Sequence, residues 1–152
     1  AYQVALASAV DDLRGKPDPH VLTLVNATDP VCVYGALAPL PGEGRLSRVP
    51  SSYLVLRAGA PLFLVEGHGK RVTPLPDAAT LADETRVAAL RLLRLILAPP
   101  GPLRAVRSLR IDEYDGAPAV EAAGLLERAG FRRDGERMVM GVLEAEAAAR
   151  VV

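Results

Sequence analysis

A hydroxyl, a carboxylate and a thiol stand within five residues of one another, at Thr28, Asp29 and Cys32. Such a set could make a cysteine nucleophile with an acidic partner. A thiol attacks as the thiolate, however, and a neighbouring histidine ordinarily draws its proton. The only two histidines, His20 and His68, are far from Cys32 in sequence. Flanked by Val31 and Val33, Cys32 is expected to be a small buried hydrophobe. Asp29, placed before Pro30, is expected to shape a turn by accepting local backbone N–H groups. An enzyme built on Asp29 would also need an oriented base, and the sequence offers none beside it.

Three other groupings could carry chemistry. The run Gly67-His68-Gly69-Lys70-Arg71 invites comparison with a phosphate-binding loop, but such a loop needs four residues between its glycines and a Ser or Thr after the lysine. A hairpin turn is expected instead. Asp112, Glu113 and Asp115 could hold a cation, yet neighbours on a strand point to opposite faces and cannot easily share one ion. Arginines form the third grouping. From Arg86 to Arg110 there are six arginines and no acid, and Arg132, Arg133 and Arg137 flank one turn. Guanidinium groups held in fixed positions are what phosphate recognition requires. Arg104, Arg107, Arg110, Arg132, Arg133 and Arg137 are therefore the candidate nucleic-acid contacts, although Asp134 and Glu136 are interleaved with them.

These residues need elements to hold them. Tyr2 to Leu6 alternates as a short strand, and Ser8 offers an N-cap for a helix over Ala9 to Arg14. Val21 to Val25 reads as a strand, and Leu37 to Pro50 as a Pro/Gly surface loop. Ser52 to Arg57, Pro61 to Gly67 and Arg71 to Leu75 form a three-stranded meander, with Gly59 and Gly69 supplying its tight turns. Asp77 is placed to cap a long helix from Ala78 to Leu97. Its core stripe is read as Leu81, Thr85, Ala88, Leu92, Leu95 and Ile96. The opposite side carries Val87, Leu90, Leu93 and Leu97, and a helix apolar on both sides is normally covered on both. Val87, Leu90 and Leu97 are thus expected to face another domain or subunit. A break at 98–102 leads to a strand over Ser108 to Tyr114. A helix then starts near Pro118 and ends at Gly130, and after a loop at Asp134-Gly135 comes a strand over Met138 to Val142.

The pattern predicts one α+β domain over residues 1–142, a mainly antiparallel sheet with a long helix and shorter helices packed on it, and a helix-capable tail at 143–152. The 152-residue chain is 50% hydrophobic and 24% charged, long enough for a true core. Basic and acidic residues balance at 18 each, so no global excess points to nucleic acid. A single cysteine excludes an internal disulfide framework and suits a reducing cytoplasm. No signal peptide or membrane span is expected, since Val87 to Ala98 is short and interrupted by Arg91 and Arg94. The chain opens without Met on residues that read like the middle of a strand, which suggests a fragment of a longer protein.

In this order, "AYQVALASAVDDLR", "NATDPVCVYGALAPLP", "SSYLVLRAGAPLFLVEGHGKRVTPLPD" and "SLRIDEYDGAPAVEAAGLLERAGFRRDGERMVM" together resemble the C-terminal region of the large helicase-related family of superfamily 2 DNA helicases. The resemblance covers about residues 2 to 142. Its corner motif matches at Ala27, Thr28, Asp29, Pro30, Tyr34, Gly35 and Ala36, and departs where Cys32 and Val33 replace the family's usual Asn-Pro. The resemblance implies a non-catalytic accessory domain of an ATP-dependent, 3′-to-5′ translocating helicase linked to DNA repair. It would pack on RecA-type and winged-helix domains of the same parent chain and help hold single-stranded DNA. ATP and Mg²⁺ are implied for the parent protein, with no cofactor in this piece. Thr28, Asp29, Pro30, Tyr34 and Gly35 become a structural corner, and Tyr34 or Tyr114 could add an aromatic contact to a base. The alternative is a stand-alone interaction or small-ligand sensor domain that binds no nucleic acid.

Overall fold

The computed structural model describes Gly15 and residues 18–42, 44–97 and 108–141. The strand and helix expected before residue 15, the break at 98–102, the tail after 142, and Arg104 and Arg107 lie outside the described residues. Among the described residues, nine strands form two sheets. They are β1 (Leu22–Asn26), β2 (Tyr53–Arg57), β3 (Ala60–Glu66), β4 (Arg71–Pro74), β5 (Ser108–Ile111), β6 (Glu113–Tyr114), β7 (Ala117–Pro118), β8 (Arg132–Asp134) and β9 (Arg137–Gly141). The larger sheet runs β1-β2-β3-β4-β6-β7 and the smaller β5-β9-β8. Every pairing is antiparallel except β4 with β6. The α+β class and mainly antiparallel pairing agree with the sequence pattern.

Meander strands β2 to β4 form where short runs, continuously apolar in β2 and β3, are punctuated by turns that demand a left-handed backbone. Gly59 has φ +84°, and the β3–β4 connection has positive φ at Gly67 (62°), His68 (55°) and Gly69 (102°). That run is a hairpin turn, with Lys70 N–H donating back to the Gly67 carbonyl. One strand expected over Ser108 to Tyr114 is in fact two. At Asp112 the chain leaves the smaller sheet for the larger, and the N–H groups of Asp112 and Glu113 both donate to the Lys70 carbonyl, at 2.8 and 3.1 Å. The switch is fixed by hydrogen-bond partners rather than by a change in residue type.

The helical region differs most from expectation. A short helix α1 (Pro76–Ala79) is followed by a break, then by α2 (Asp83–Arg91), which tightens into 3₁₀ turns over Leu92–Ile96. Leu75, not Asp77, is the N-cap of α1, and Pro76 occupies its first turn. The Thr80 hydroxyl donates to the Asp77 carbonyl, and Ala82 is extended (ψ 150°), so the helix must restart with Asp83 and Glu84 in its first turn.

The faces are reversed as well. Val87, Leu90 and Leu97, expected to meet another domain, are buried in this domain's own core together with Leu93. Leu95 of the expected core stripe is exposed, Thr85, Ala88 and Leu92 are half-buried, and only Ile96 of that stripe is fully in the core. Two apolar stripes of similar breadth run along this segment, and period alone does not say which meets the sheet. The larger side chains without a threonine won. These three residues therefore form no docking face.

Helix α3 (Ala123–Arg128), entered through a 3₁₀ turn at Ala119–Ala122, packs on α2. Arg91 Nη2 donates to the Arg128 carbonyl at 2.9 Å, and Arg128 pairs with Glu84 at 3.2 Å. The main core fills the space between these helices and both sheets, through Phe63, Val65, Val72, Leu90, Leu93, Leu109, Ile111, Leu126, Met138 and Met140. A satellite core under the 27–50 loop gathers Val25, Cys32, Leu40, Leu54, Leu64 and Leu75.

Candidate nucleic-acid interface

The smaller sheet places four of the six candidate arginines. Leu109, Ile111, Met138 and Met140 turn inward from β5 and β9, so alternation turns Arg110, Val139 and Arg137 outward. Register sets Arg110 opposite Val139 and Val139 opposite Arg132, which makes one row across three strands. Arg137 lies opposite Asp134 in the next row, beside Asp112 at the end of β5. Strands lie about 4.8 Å apart, so Arg110 and Arg132 start roughly 10 Å from each other, with Arg137 about 7 Å along β9 from their row. Three arginines thus share one outer face with two aspartates. Arg133 alternates to the other side and pairs with Glu127 of α3 at 2.7 Å. From the sequence, which places a loop at Asp134-Gly135, no strand is expected at β8. All three of its residues are exposed, so it lacks the apolar alternation by which a strand is recognised.

Asp112 is the junction of the charged network. Arg110 Nη2 donates to its Oδ2 at 3.2 Å, Arg110 Nε lies 2.8 Å from its Oδ1, and Arg137 Nε lies 3.5 Å from the same oxygen. The close Nε–Oδ1 approach is aligned too poorly for a hydrogen bond, and both atoms are buried without a hydrogen-bond partner. Glu113 instead meets Arg71 at 3.4 Å, and Arg71 also bonds Glu66 at 3.0 Å. Asp115 occupies the turn before Gly116 with φ 53°. Asp112 and Glu113 face different partners, as expected for strand neighbours. Among the described residues no group of three or more His, Cys, Asp or Glu side chains is placed to hold a metal ion.

Thr28, Asp29, Pro30, Tyr34 and Gly35 lie at the opposite end of the larger sheet and contribute nothing to the arginine face. The Asn26 amide organises their turn. Its Oδ1 accepts from the N–H and the hydroxyl of Thr28 (2.9 and 2.7 Å), and its Nδ2 donates to the Pro50 carbonyl at 2.8 Å. Asp29 Oδ1 accepts from the Val31 N–H at 2.9 Å. Arg48 Nη1 clamps the carbonyls of Cys32 and Tyr34 at 2.8 and 3.2 Å. The Tyr34 hydroxyl reaches the Gly59 carbonyl at 2.8 Å, and Gly35 adopts φ +78°. Cys32 is buried. Thr28, Asp29, Tyr34 and Arg48 each spend hydrogen bonds on shaping this turn, as a structural corner requires. Sequence reading missed Asn26 and Arg48; their hydrogen bonds cross 24 and 16 residues, and no local pattern announces them.

Tyr114 packs against the main core. Burial pushes its phenol up to about 12, with Arg86 pulling the other way and Asp115 and Asp83 adding to the rise. The other aromatic candidate, Tyr34, is tied to Gly59. Neither lies on the arginine face, which leaves that face suited to phosphates rather than to base stacking.

No protein-family model matches the chain, and no curated protein matches it. Among the described residues no helix is long and apolar enough to cross a membrane.

Proposed function

We propose that this chain is a non-catalytic accessory domain from the C-terminal region of an ATP-dependent DNA helicase of the large helicase-related type. On this reading it packs on the motor core and helps hold single-stranded DNA during 3′-to-5′ translocation in DNA repair. The observation that carries the DNA role is the convergence of Arg110, Arg132 and Arg137 on one outer sheet face. Fixed guanidinium donors spaced on a rigid sheet suit contacts to the phosphate backbone. ATP and Mg²⁺ then belong to RecA-type domains of the parent chain, and no residue described here is given a catalytic role.

The test is binding of the chain to labelled oligothymidylate across a salt series. Three phosphate contacts on a single strand give a slope of log K against log salt near −2. Combining Arg110→Glu, Arg132→Glu and Arg137→Glu is expected to abolish binding while circular dichroism stays unchanged. Absence of binding at low salt defeats the DNA-holding role.

One observation favours the rival reading of an interaction domain without nucleic acid. Val31, Val33 and Leu37 on the corner loop are 77%, 44% and 79% exposed, and apolar residues grouped on a surface commonly meet protein. The same surface would serve docking on a motor core. The oligothymidylate result therefore separates the two readings, and the corner does not.

A further inference from the structure

We propose that the Asp112 carboxylate occupies, in the free domain, the place a backbone phosphate takes between Arg110 and Arg137, so that this one aspartate sets the domain's affinity for single-stranded nucleic acid. The inference rests on the reading of the outer sheet face as a nucleic-acid surface and adds its control element.

Charge comes first. Two guanidinium groups converge on one carboxylate, with Arg110 Nε at 2.8 Å and Arg137 Nε at 3.5 Å from the same Oδ1, so the cluster keeps one surplus positive charge. Geometry comes next. Asp112 is tethered two residues from Arg110, and the tether prevents a two-bond fork. Only Nη2 to Oδ2 is a hydrogen bond, while Arg110 Nε and Asp112 Oδ1 are buried and lack hydrogen-bond partners. A free phosphate is not bound by that tether. It can align two oxygens with the Nε and Nη2 donors of Arg110 and still reach Arg137.

The cluster is also open to exchange. Side-chain exposure is 40% for Arg110, 53% for Arg137 and 35% for Asp112, and ion pairs so exposed are weak. The other acids are placed differently: Glu113 is turned to Arg71, Glu136 belongs to the β8–β9 turn, and Asp134 ends β8, on the far side of β9 from Arg110. Nor is Asp112 needed to hold its own backbone through the carboxylate. Its N–H donates to the Lys70 carbonyl at 2.8 Å and its carbonyl accepts from Ala119 N–H at 3.0 Å.

The test uses the full chain and Asp112→Asn, with Asp112→Ser as a second way to remove the charge. Two probes are titrated: labelled oligothymidylate by fluorescence anisotropy, and inorganic tripolyphosphate by the NMR signals of the Arg110 and Arg137 Nε–H groups. Thermal melts first establish that each variant is folded. Both variants are expected to bind oligothymidylate roughly threefold tighter than wild type at low salt, with a salt slope steeper by about 0.7. If wild type binds the oligonucleotide and the variants bind no tighter, Asp112 orients the arginines instead, and this inference fails while the nucleic-acid reading stands. If the variants gain only in tripolyphosphate affinity and no protein binds the oligonucleotide, Asp112 is the competitor but the single-strand reading falls. If neither probe binds any form, both fall.

Discussion

The smaller sheet is pinned to the larger at Gly69, and Gly69→Ala measures how firmly. Gly69 has φ +102°, and a Cβ placed there clashes with Leu109 Cδ1 and meets Leu109 Cγ at 3.3 Å. Leu109 is fully buried on β5, next to Arg110, so the clash presses on the strand that carries the arginine face. Gly59→Ala is the matched control, with φ +84° and nothing within 4 Å of the added carbon. Left-handed strain alone costs about 1–2 kcal/mol at either site, partly offset by the stiffer unfolded chain. Overpacking adds about 1–3 kcal/mol at Gly69 only. Gly69→Ala is therefore expected to lose roughly 2–4 kcal/mol, against about 1 kcal/mol for Gly59→Ala, out of a total of about 5–15 kcal/mol. Urea titration followed by circular dichroism reads the difference, with unchanged m-values required. Leu109→Ala alone costs about 2–5 kcal/mol, but combined with Gly69→Ala it removes the clashing atoms, so the double variant should lose at least about 1 kcal/mol less than the sum. Equal losses for Gly59→Ala and Gly69→Ala would show that Leu109 moves aside freely. The reasoning that ties β5 to the β3–β4 turn would then be wrong.

Two further perturbations address Tyr114 and the corner. Burial, the largest cause, raises the Tyr114 phenol from 10.0 to about 12, so the folded state holds its proton more tightly than the unfolded chain. That contribution is complete below pH 10 and is lost as pH rises toward 12; with partial exposure discounted it is about 1–2 kcal/mol. Tyr114→Phe should flatten the decline in stability across that window, and an unchanged slope in urea melts contradicts the burial argument. Arg48→Ala removes the clamp on the Cys32 and Tyr34 carbonyls and should cost about 1 kcal/mol. If the loss is local, Cys32 becomes about fivefold faster to label with a thiol reagent, and unaltered labelling shows the clamp to be dispensable.

What was legible in the sequence follows from which forces leave a local trace. Strands β2, β3 and β4 announced themselves because short apolar runs and left-handed turns are both properties of neighbouring residues. The sheet switch at Asp112 left no trace, because it depends on the Lys70 carbonyl receiving two N–H donors from a strand 42 residues away. The reversed faces of α2 have the same origin. Val87, Leu90 and Leu97 and the rival stripe through Leu81 and Leu95 satisfy the same period, and only the packing partner chooses between them. The Asn26 and Arg48 hydrogen bonds were equally invisible for being long-range.

The arginine face shows most clearly what composition can and cannot say. Composition supplied the residues but not their sorting, and the sorting decides the physics. Alternation sends Arg133 toward Glu127 and leaves Arg110, Arg132 and Arg137 outside, while register interposes Asp112 and Asp134 among them. A face with three guanidinium groups and two carboxylates has too small a net potential for tight binding at physiological salt. If the proposed reading holds, its contribution to holding a strand comes from geometry and from proximity to stronger contacts elsewhere in a parent chain, through effective concentration. On the proposed reading, a face so constructed would release a strand as readily as it holds one, which is what a translocating motor requires of an accessory surface.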